Sequence, residues 1–219
     1  MIRALRDSRE WIAKIALFGA VIGMIVLWMM AINRTGELYL SGIEVQVDQK
    51  DGIRDLITAK DVKRLVEKGL PNDVIMQPIK RIDVPSIEDM LRVDTRVMEA
   101  QVYVDAHQKL IIDVEQRRPI ARVINSRNDQ FYMDRNGRYI QISDHRAVRV
   151  PVVTGYVESL KAGESSASKP RLKETLSILH LIRKDEFLTA LIEQIHVEST
   201  HRIILIPKVG DERIILDHL

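Results

Sequence analysis

The amino-acid sequence predicts an α+β protein with a single N-terminal transmembrane helix, a β-α-α-β-β domain, and then a mostly antiparallel β domain with one or two helices. Three observations lead to this prediction. One uncharged apolar run near the N-terminus is long enough to cross a bilayer. Beyond it, short stretches alternate apolar and polar residues, which is typical of half-buried strands. Between some of these stretches, apolar residues recur at helical spacing after capping signals.

The composition excludes several classes of protein. The 219 residues include 33 Lys and Arg against 31 Asp and Glu, so a net charge of +2 disfavours a strongly basic nucleic-acid binder. Cysteine is absent, which excludes disulfide scaffolds, thiolate zinc sites, iron–sulfur clusters and cysteine nucleophiles. Hydrophobic residues make up 46% and aromatic residues 5%, so the chain is rich in aliphatic side chains and is not a disordered sequence.

The apolar run is Ile15–Ile32, which has 18 residues and no charge. As a helix it would rise roughly 27 Å, near the thickness of a bilayer core. A buried soluble helix and a cleaved signal peptide are the alternatives. The apolar region of a signal peptide is usually shorter, and no A-x-A cleavage site follows this run. The sequence therefore predicts an uncleaved membrane anchor.

The charges flanking the span predict its orientation. The positive-inside rule places the more cationic flank, residues 1–14, in the cytoplasm and the bulk of the chain in the periplasm. Residues 33–40 are then a short linker. The cations are Arg3, Arg6, Arg9 and Lys14 before the span, and Arg34 and Lys50 after it.

Gly19 and Gly23 form a G-x-x-x-G motif inside the span. This spacing lets two membrane helices approach closely. Because glycine is common in membrane helices in any case, contact between two helices at this motif is a hypothesis only.

A β-α-α-β-β domain is predicted over residues 41–118. Residues 43–47 alternate in polarity, which indicates a strand. Thr58 with Asp61, and Ser86 with Asp89, resemble capping boxes that begin two helices. The remaining predicted elements are strands at Val97–Val104 and Leu110–Val114, a turn at His107–Lys109, and Pro119 as the residue that closes the second of these strands.

A β domain is predicted over residues 119–219. Residues 131–140 indicate a hairpin, in which Asn136 and Gly137 suit a two-residue turn because both residue types accept positive φ. The other predicted elements are a strand at 150–155, a surface loop at 161–169, a helix from Pro170, and a meander of strands at 191–197, 203–206 and 213–216.

No constellation of residues indicates an enzyme or a bound cofactor. Ser166 and Lys169 match S-x-x-K, but they lie in a Ser-rich stretch that indicates a solvated loop, and the other motifs of serine penicillin-binding enzymes are missing. The six histidines show no metal-ligand spacing such as H-E-x-x-H. Asp134 and Gly137 resemble a fragment of a calcium loop, which the hairpin turn explains equally well. The sequence thus favours a binding protein with no catalytic, metal or cofactor site.

The layout resembles the FtsQ/DivIB family of bacterial cell-division proteins across nearly the whole chain. Three local matches carry the resemblance. Residues 114–123, Val-Glu-Gln-Arg-Arg-Pro-Ile-Ala-Arg-Val, resemble the family's junction, in which Glu, Pro and Ala follow a strand. Tyr132-Met-Asp134 with Gly137 resembles its D-x-x-G hairpin, and residues 151–155, Pro-Val-Val-Thr-Gly, resemble its P-x-x-x-G strand. The sparse aromatic content and the spacing are similar to Bacteroidetes-type members.

The resemblance implies a POTRA-like first domain and a non-enzymatic role in septum formation. In this family the protein lies in the inner membrane at the division septum and links early to late division proteins. Its β domain pairs with FtsB, a coiled-coil protein associated with FtsL, and the POTRA domain is implicated in recruitment.

Arg213, Ile214, Ile215 and Leu216 are nominated as the strand edge that binds a partner. Family members usually continue beyond this strand, so we expect either a short member or a truncated β domain. The same isoleucines are also explained as plain core residues, which is the commoner case for apolar strand positions.

Two functions from other classes stay open at this stage. A periplasmic sensor or anti-sigma-type receptor would signal through residues 1–14, which are too few for a recognisable domain. An anchored cell-wall hydrolase would need a nucleophile–base pair or a metal set.

Overall fold

The N-terminal apolar run is partly described by the computed structural model. The structure describes residues 17–30, 38–48, 56–69, 78–142 and 147–216. Residues 17–30 form helix α1. Within these ranges, no helix is both long and apolar enough to cross a membrane. The ends of the predicted span, the predicted tail 1–14 and residues 33–37 of the predicted linker lie outside the described residues.

The first sheet has three strands in the order β1-β3-β2, with β1 parallel and β2 antiparallel to β3. Helices α2 and α3 pack on one face of this sheet, which confirms the predicted β-α-α-β-β order. Leu40, assigned to the linker by the sequence analysis, is buried in the same core. The elements are β1 (Gly42–Val47), α2 (Ala59–Gly69), α3 (Val84–Val93), β2 (Val97–Val104) and β3 (Lys109–Gln116).

The first of the two predicted capping boxes is confirmed. The Thr58 N–H donates to Asp61 Oδ2 at 3.1 Å, and the Asp61 N–H donates to Thr58 Oγ1 at 3.2 Å. The Thr58 hydroxyl also donates to the Asp61 carboxylate, which is the main reason that the pKa of Asp61 lies below its ordinary value. These bonds satisfy the free N–H groups at the start of α2.

The second capping prediction is wrong, because α3 begins earlier. Asp83 is the N-cap, and its Oδ1 accepts from the Ser86 N–H at 3.2 Å. Pro85 then occupies the first turn, where no backbone donor is needed. Asp89 instead bonds Arg92, so it has no part in the cap.

The second sheet has seven strands in the order β10-β9-β8-β7-β4-β5-β6. β7 runs parallel to β4 and β8, and every other pair is antiparallel, which confirms a mostly antiparallel sheet. Helix α4 packs against one face and forms the larger core with it. The elements are β4 (Pro119–Asn125), β5 (Gln130–Asp134), β6 (Tyr139–Ile140), β7 (Val152–Gly155), α4 (Pro170–Lys184), α5 (Glu186–Leu191), β8 (Ile192–Val197), β9 (Ile203–Pro207) and β10 (Ile214–Leu216).

Two local predictions for this sheet need correction. Pro119 is the first residue of β4 and does not close β3. Proline is tolerated at the start of a strand, although it has no backbone N–H group to donate to a neighbouring strand. The hairpin turn is longer than two residues, because the Asp134 N–H donates to Arg138 O at 3.1 Å and leaves residues 135–137 between them, with Gly137 at a positive φ of 72°. Asp134 closes the turn: its Oδ1 accepts from the N–H groups of Asn136 and Arg138, each at 2.8 Å.

The two sheets meet at a junction centred on Arg117, which lies between β3 and β4. Its guanidinium donates to Thr95 O at 3.1 Å, to Val97 O at 3.1 Å and to Asp134 Oδ2 at 2.9 Å. The Arg117 and Asp134 side chains are only 14% and 5% exposed. An apolar cluster of Leu56, Tyr132 and Ile140 also joins the two parts. The domain limits 41–118 and 119–219 stay a prediction. The last strand of the first sheet ends at Gln116, and the first strand of the second sheet begins at Pro119.

The cap of α3 leads to a first prediction. Asp83→Ala should lower the free energy of unfolding by about 1 kcal/mol, because it removes the acceptor for the Ser86 N–H. Ser86→Ala is the matched control and should change it by less than about 0.5 kcal/mol, since Ser86 contributes its backbone N–H to the cap and, among the described residues, its hydroxyl has no hydrogen-bond partner. Urea unfolding measures both values. Equal losses from the two variants would contradict the assignment of Asp83 as the cap.

The junction leads to a second prediction. Arg117→Ala should cost about 3–5 kcal/mol, because it leaves the buried Asp134 carboxylate without its partner. The same substitution in an Asp134→Asn background should cost less, by about 1 kcal/mol or more, because no buried charge is stranded there. Urea unfolding of the four proteins gives this coupling energy. A coupling near zero would show that the ion pair does not hold the junction.

Candidate partner-binding surface

β10 lies at one end of the seven-stranded sheet. Its register pairs Ile214 with Leu205, Ile215 with Ile204, and Leu216 with Ile203. Among the described strands, β9 is its only neighbour. The far side of β10 therefore presents backbone N–H and C=O groups that no described strand pairs, which is the geometry that accepts an added strand.

The side chains of β10 divide between the two faces of the sheet. Leu216 is half-buried and packs against the larger core. Ile214 is 40% exposed and Ile215 is 53% exposed, so the interpretation of these two isoleucines as core residues is wrong. Arg213 is exposed and immediately precedes the strand. Ile214–Leu216 contains no lysine, proline or bulge, so its shortness, at three residues, is the feature that limits pairing with another chain.

The face that carries Ile215 continues across the sheet away from α4. Ile215 lies opposite Ile204, which in turn lies opposite His196. His196 Nδ1 is 2.9 Å from Thr154 Oγ1, and Gln194 donates to the same hydroxyl at 2.9 Å. This face is therefore apolar at β10 and β9, where Ile215 and Ile204 lie, and polar at β8 and β7, where His196 and Thr154 lie.

Gly19 and Gly23 both lie in α1, one turn apart and hence on one side of the helix. A Cβ atom built on either glycine would meet no atom within 4 Å. The described part of the chain thus leaves this side of the helix open, and the contact between two helices stays a prediction.

Ser166 departs from the surface loop predicted for 161–169, while residues 161–164, 167 and 168 of that segment are exposed as predicted. Ser166 is buried in a 3-10 turn, and its N–H donates to Gly137 O at 2.8 Å. A Cβ at Gly137 would clash with the Ser166 hydroxyl, so the two residues pack directly together. Lys169 ends this turn and precedes α4. Ser166 thus has a packing role beside the hairpin.

Within the described ranges, no group of three His, Asp or Glu side chains could hold a metal ion. Three histidines bond other partners: His180 bonds Arg135 O, His196 bonds Thr154, and His201 bonds Arg171. His145 and His218 lie outside the described residues.

A polar cluster at the carboxyl ends of β4 and β7 went unpredicted. The Ser159 hydroxyl and the Asn125 amide donate to the Asp129 carboxylate, and these bonds, the Ser159 bond first, lower the pKa of Asp129. Arg127 donates to Ser159 at 2.7 Å. The cluster ties the β4–β5 turn to the loop after β7. Asn125, Arg127 and Asp129 are close in sequence, but Ser159 is 30 residues from Asp129, so no local pattern could have brought it into the cluster.

Comparison with protein families matches both parts of this fold. The model of the FtsQ/DivIB C-terminal related domain matches residues 118–219, and the POTRA-like domain model matches residues 41–115. No curated protein gives a significant match. The POTRA-like match covers the three-stranded sheet, and the FtsQ/DivIB match covers the seven-stranded sheet that follows it. This is the order of domains that the sequence resemblance implies. The chain is therefore a member of the FtsQ/DivIB family, with a POTRA-like domain ahead of an FtsQ/DivIB-related C-terminal domain.

Proposed function

We propose that this protein is a non-enzymatic, membrane-anchored scaffold of the bacterial divisome that links early and late division proteins during septum formation. The observation that carries the proposal is the open, apolar edge of β10 within a domain related to the C-terminal part of FtsQ/DivIB. A cell-division scaffold role is what these two matched domains suggest. Binding would proceed by strand addition rather than in an active site.

The proposed partner is an FtsB-type bitopic protein, itself associated with an FtsL-type coiled-coil protein. An extended segment of this partner would pair with β10 through backbone hydrogen bonds. Its alternate side chains would contact Ile215 and Ile204 on one face of the sheet and Ile214 on the other. The two isoleucines are already about half-buried, so covering the rest of each side chain would add about 1 kcal/mol.

The proposed location is the inner membrane at the division septum, with residues 1–14 in the cytoplasm and the two domains in the periplasm. Support comes from the uncharged run 15–32 and from the cations that precede it. The proposal also includes contact between two such helices at Gly19 and Gly23.

Proline substitutions test the proposed edge. Backbone N–H groups of consecutive strand residues point to opposite sides, so one of Ile214 and Ile215 donates outward and the other faces β9. Proline at the outward position should weaken binding of the FtsB-type protein of the same cells by about tenfold or more, while the urea-unfolding midpoint stays close to that of the wild type. Proline at the other position should destabilise the sheet.

Threonine at each position is the matched control, because it keeps the N–H group and the β-branched shape. The threonine variants should retain clearly more affinity than the proline variants in a titration with the purified partner. Undiminished affinity in both folded proline variants would rule out β10 as the binding edge. A fluorescent fusion at the N-terminus should also form a band at midcell, and an even membrane signal would contradict the proposed location.

A further inference from the structure

A cavity of about 510 Å³ opens at the end of the seven-stranded sheet where β7 and β8 begin and β9 ends. Its apolar lining comes from the segment before β7, from α4 and from the first residue of β8. These residues are Val150, Pro151, Leu179, Ile182 and Ile192. The volume lies in the range of pockets that enclose a small ligand or a few side chains, roughly 300–1,000 Å³.

The rim of this cavity is predominantly cationic. Arg149, Arg183 and Lys208 line it, against one carboxylate, Glu193. Lys208 Nζ donates to Thr189 O at 3.2 Å, a neutral acceptor. Within the described part of the chain, neither Arg149 nor Arg183 takes part in an ion pair. The three cations come from three separate segments and stand around an apolar floor, although the whole chain carries a net charge of only +2.

We propose that this cavity binds a short acidic segment of a partner protein in which an aliphatic side chain is flanked by carboxylates. The aliphatic side chain would displace water from the apolar floor. The guanidinium groups of Arg149 and Arg183 would each bind a carboxylate through paired N–H donors. A neutral or basic segment would leave the cations of the rim uncompensated.

The shape of the site and the spread of its charges favour a peptide over other anions. A single inorganic anion would leave the apolar floor in contact with water. A fatty acid carries one carboxylate, whereas the cations stand on three different segments of the rim. A flat membrane surface does not reach the floor of a concave site. The cavity is built from residues outside β10, so this inference goes beyond strand addition and does not depend on it.

The test uses the full chain in nanodiscs of neutral phosphatidylcholine and short fluorescein-labelled peptides, followed by fluorescence anisotropy. One peptide alternates leucine and glutamate, and matched peptides replace glutamate by lysine or by glutamine, or leucine by glycine. The leucine–glutamate peptide should bind most tightly. Arg149→Glu combined with Arg183→Glu should weaken its binding by about tenfold or more, because like charges then face each other.

Two further variants guard against misfolding as an explanation. Glu193→Gln removes the one carboxylate of the rim and should strengthen binding of the acidic peptide about two- to threefold. Lys161→Glu combined with Lys173→Glu reverses two exposed charges outside the cavity and should leave binding unchanged. Whichever of Ile214→Pro and Ile215→Pro lies at the outward-facing position and stays folded should also bind the peptide normally, which separates this site from the β10 edge.

Four results would overturn the inference. These are equal binding of the lysine peptide, no binding of any peptide, binding insensitive to the Arg149 and Arg183 substitutions, and displacement of the acidic peptide by dodecanoate. Preferential association of the detergent-free chain with vesicles of anionic phosphatidylglycerol, abolished by the same two substitutions, would assign the cavity to a lipid headgroup instead.

Discussion

The arrangement of the two sheets depends on one guanidinium group. Taking Arg117 out of water is costly unless its donors find acceptors, and here Thr95 O and Val97 O come from the first domain while the Asp134 carboxylate comes from the second. The other oxygen of that carboxylate closes the β5–β6 turn. One acidic side chain therefore serves both the hairpin and the junction, which gives a physical reason for an Asp followed by Gly at this turn.

The covering of the larger sheet restricts where a partner can bind. Helix α4 buries one face, and the Arg117 junction lies near β5. What is left among the described residues is the face around Thr154, the edge at β10 and the two ends of the strands. Both surfaces proposed for partners lie in this remaining area, so neither requires the cores to open. The absence of cysteine is consistent with a domain that relies on its aliphatic core for stability.

The sequence predicted what depends on neighbouring residues. The strand alternation, the Thr58–Asp61 capping box and the meander at the C-terminal end of the sheet all follow from local spacing, and the structure contains them. The sequence pattern favoured Ser86 over Asp83 as the cap of α3. Both side chains can accept a hydrogen bond at a helix start, and only the backbone conformation decides which of them is the cap.

Long-range contacts account for what the sequence could not predict. Ser166 is buried because it packs on Gly137, and Arg117 finds Asp134 through the pairing of β4 with β5. Ile214 and Ile215 are exposed because β10 is the last strand of its sheet. Alternating polarity predicts that a segment is a strand, but it does not predict the position of that strand in the sheet. The cationic cavity combines three segments that no motif connects.

The short length of β10 explains why a second contact would be useful to a scaffold of this kind. A strand of three residues offers few outward hydrogen bonds, and backbone pairing carries little information about the sequence of the partner. A cavity with an apolar floor and a cationic rim selects side chains by shape and charge instead. If one partner occupied both surfaces, binding at the first would raise the effective concentration at the second. Affinity and selectivity would then come from different parts of the same domain.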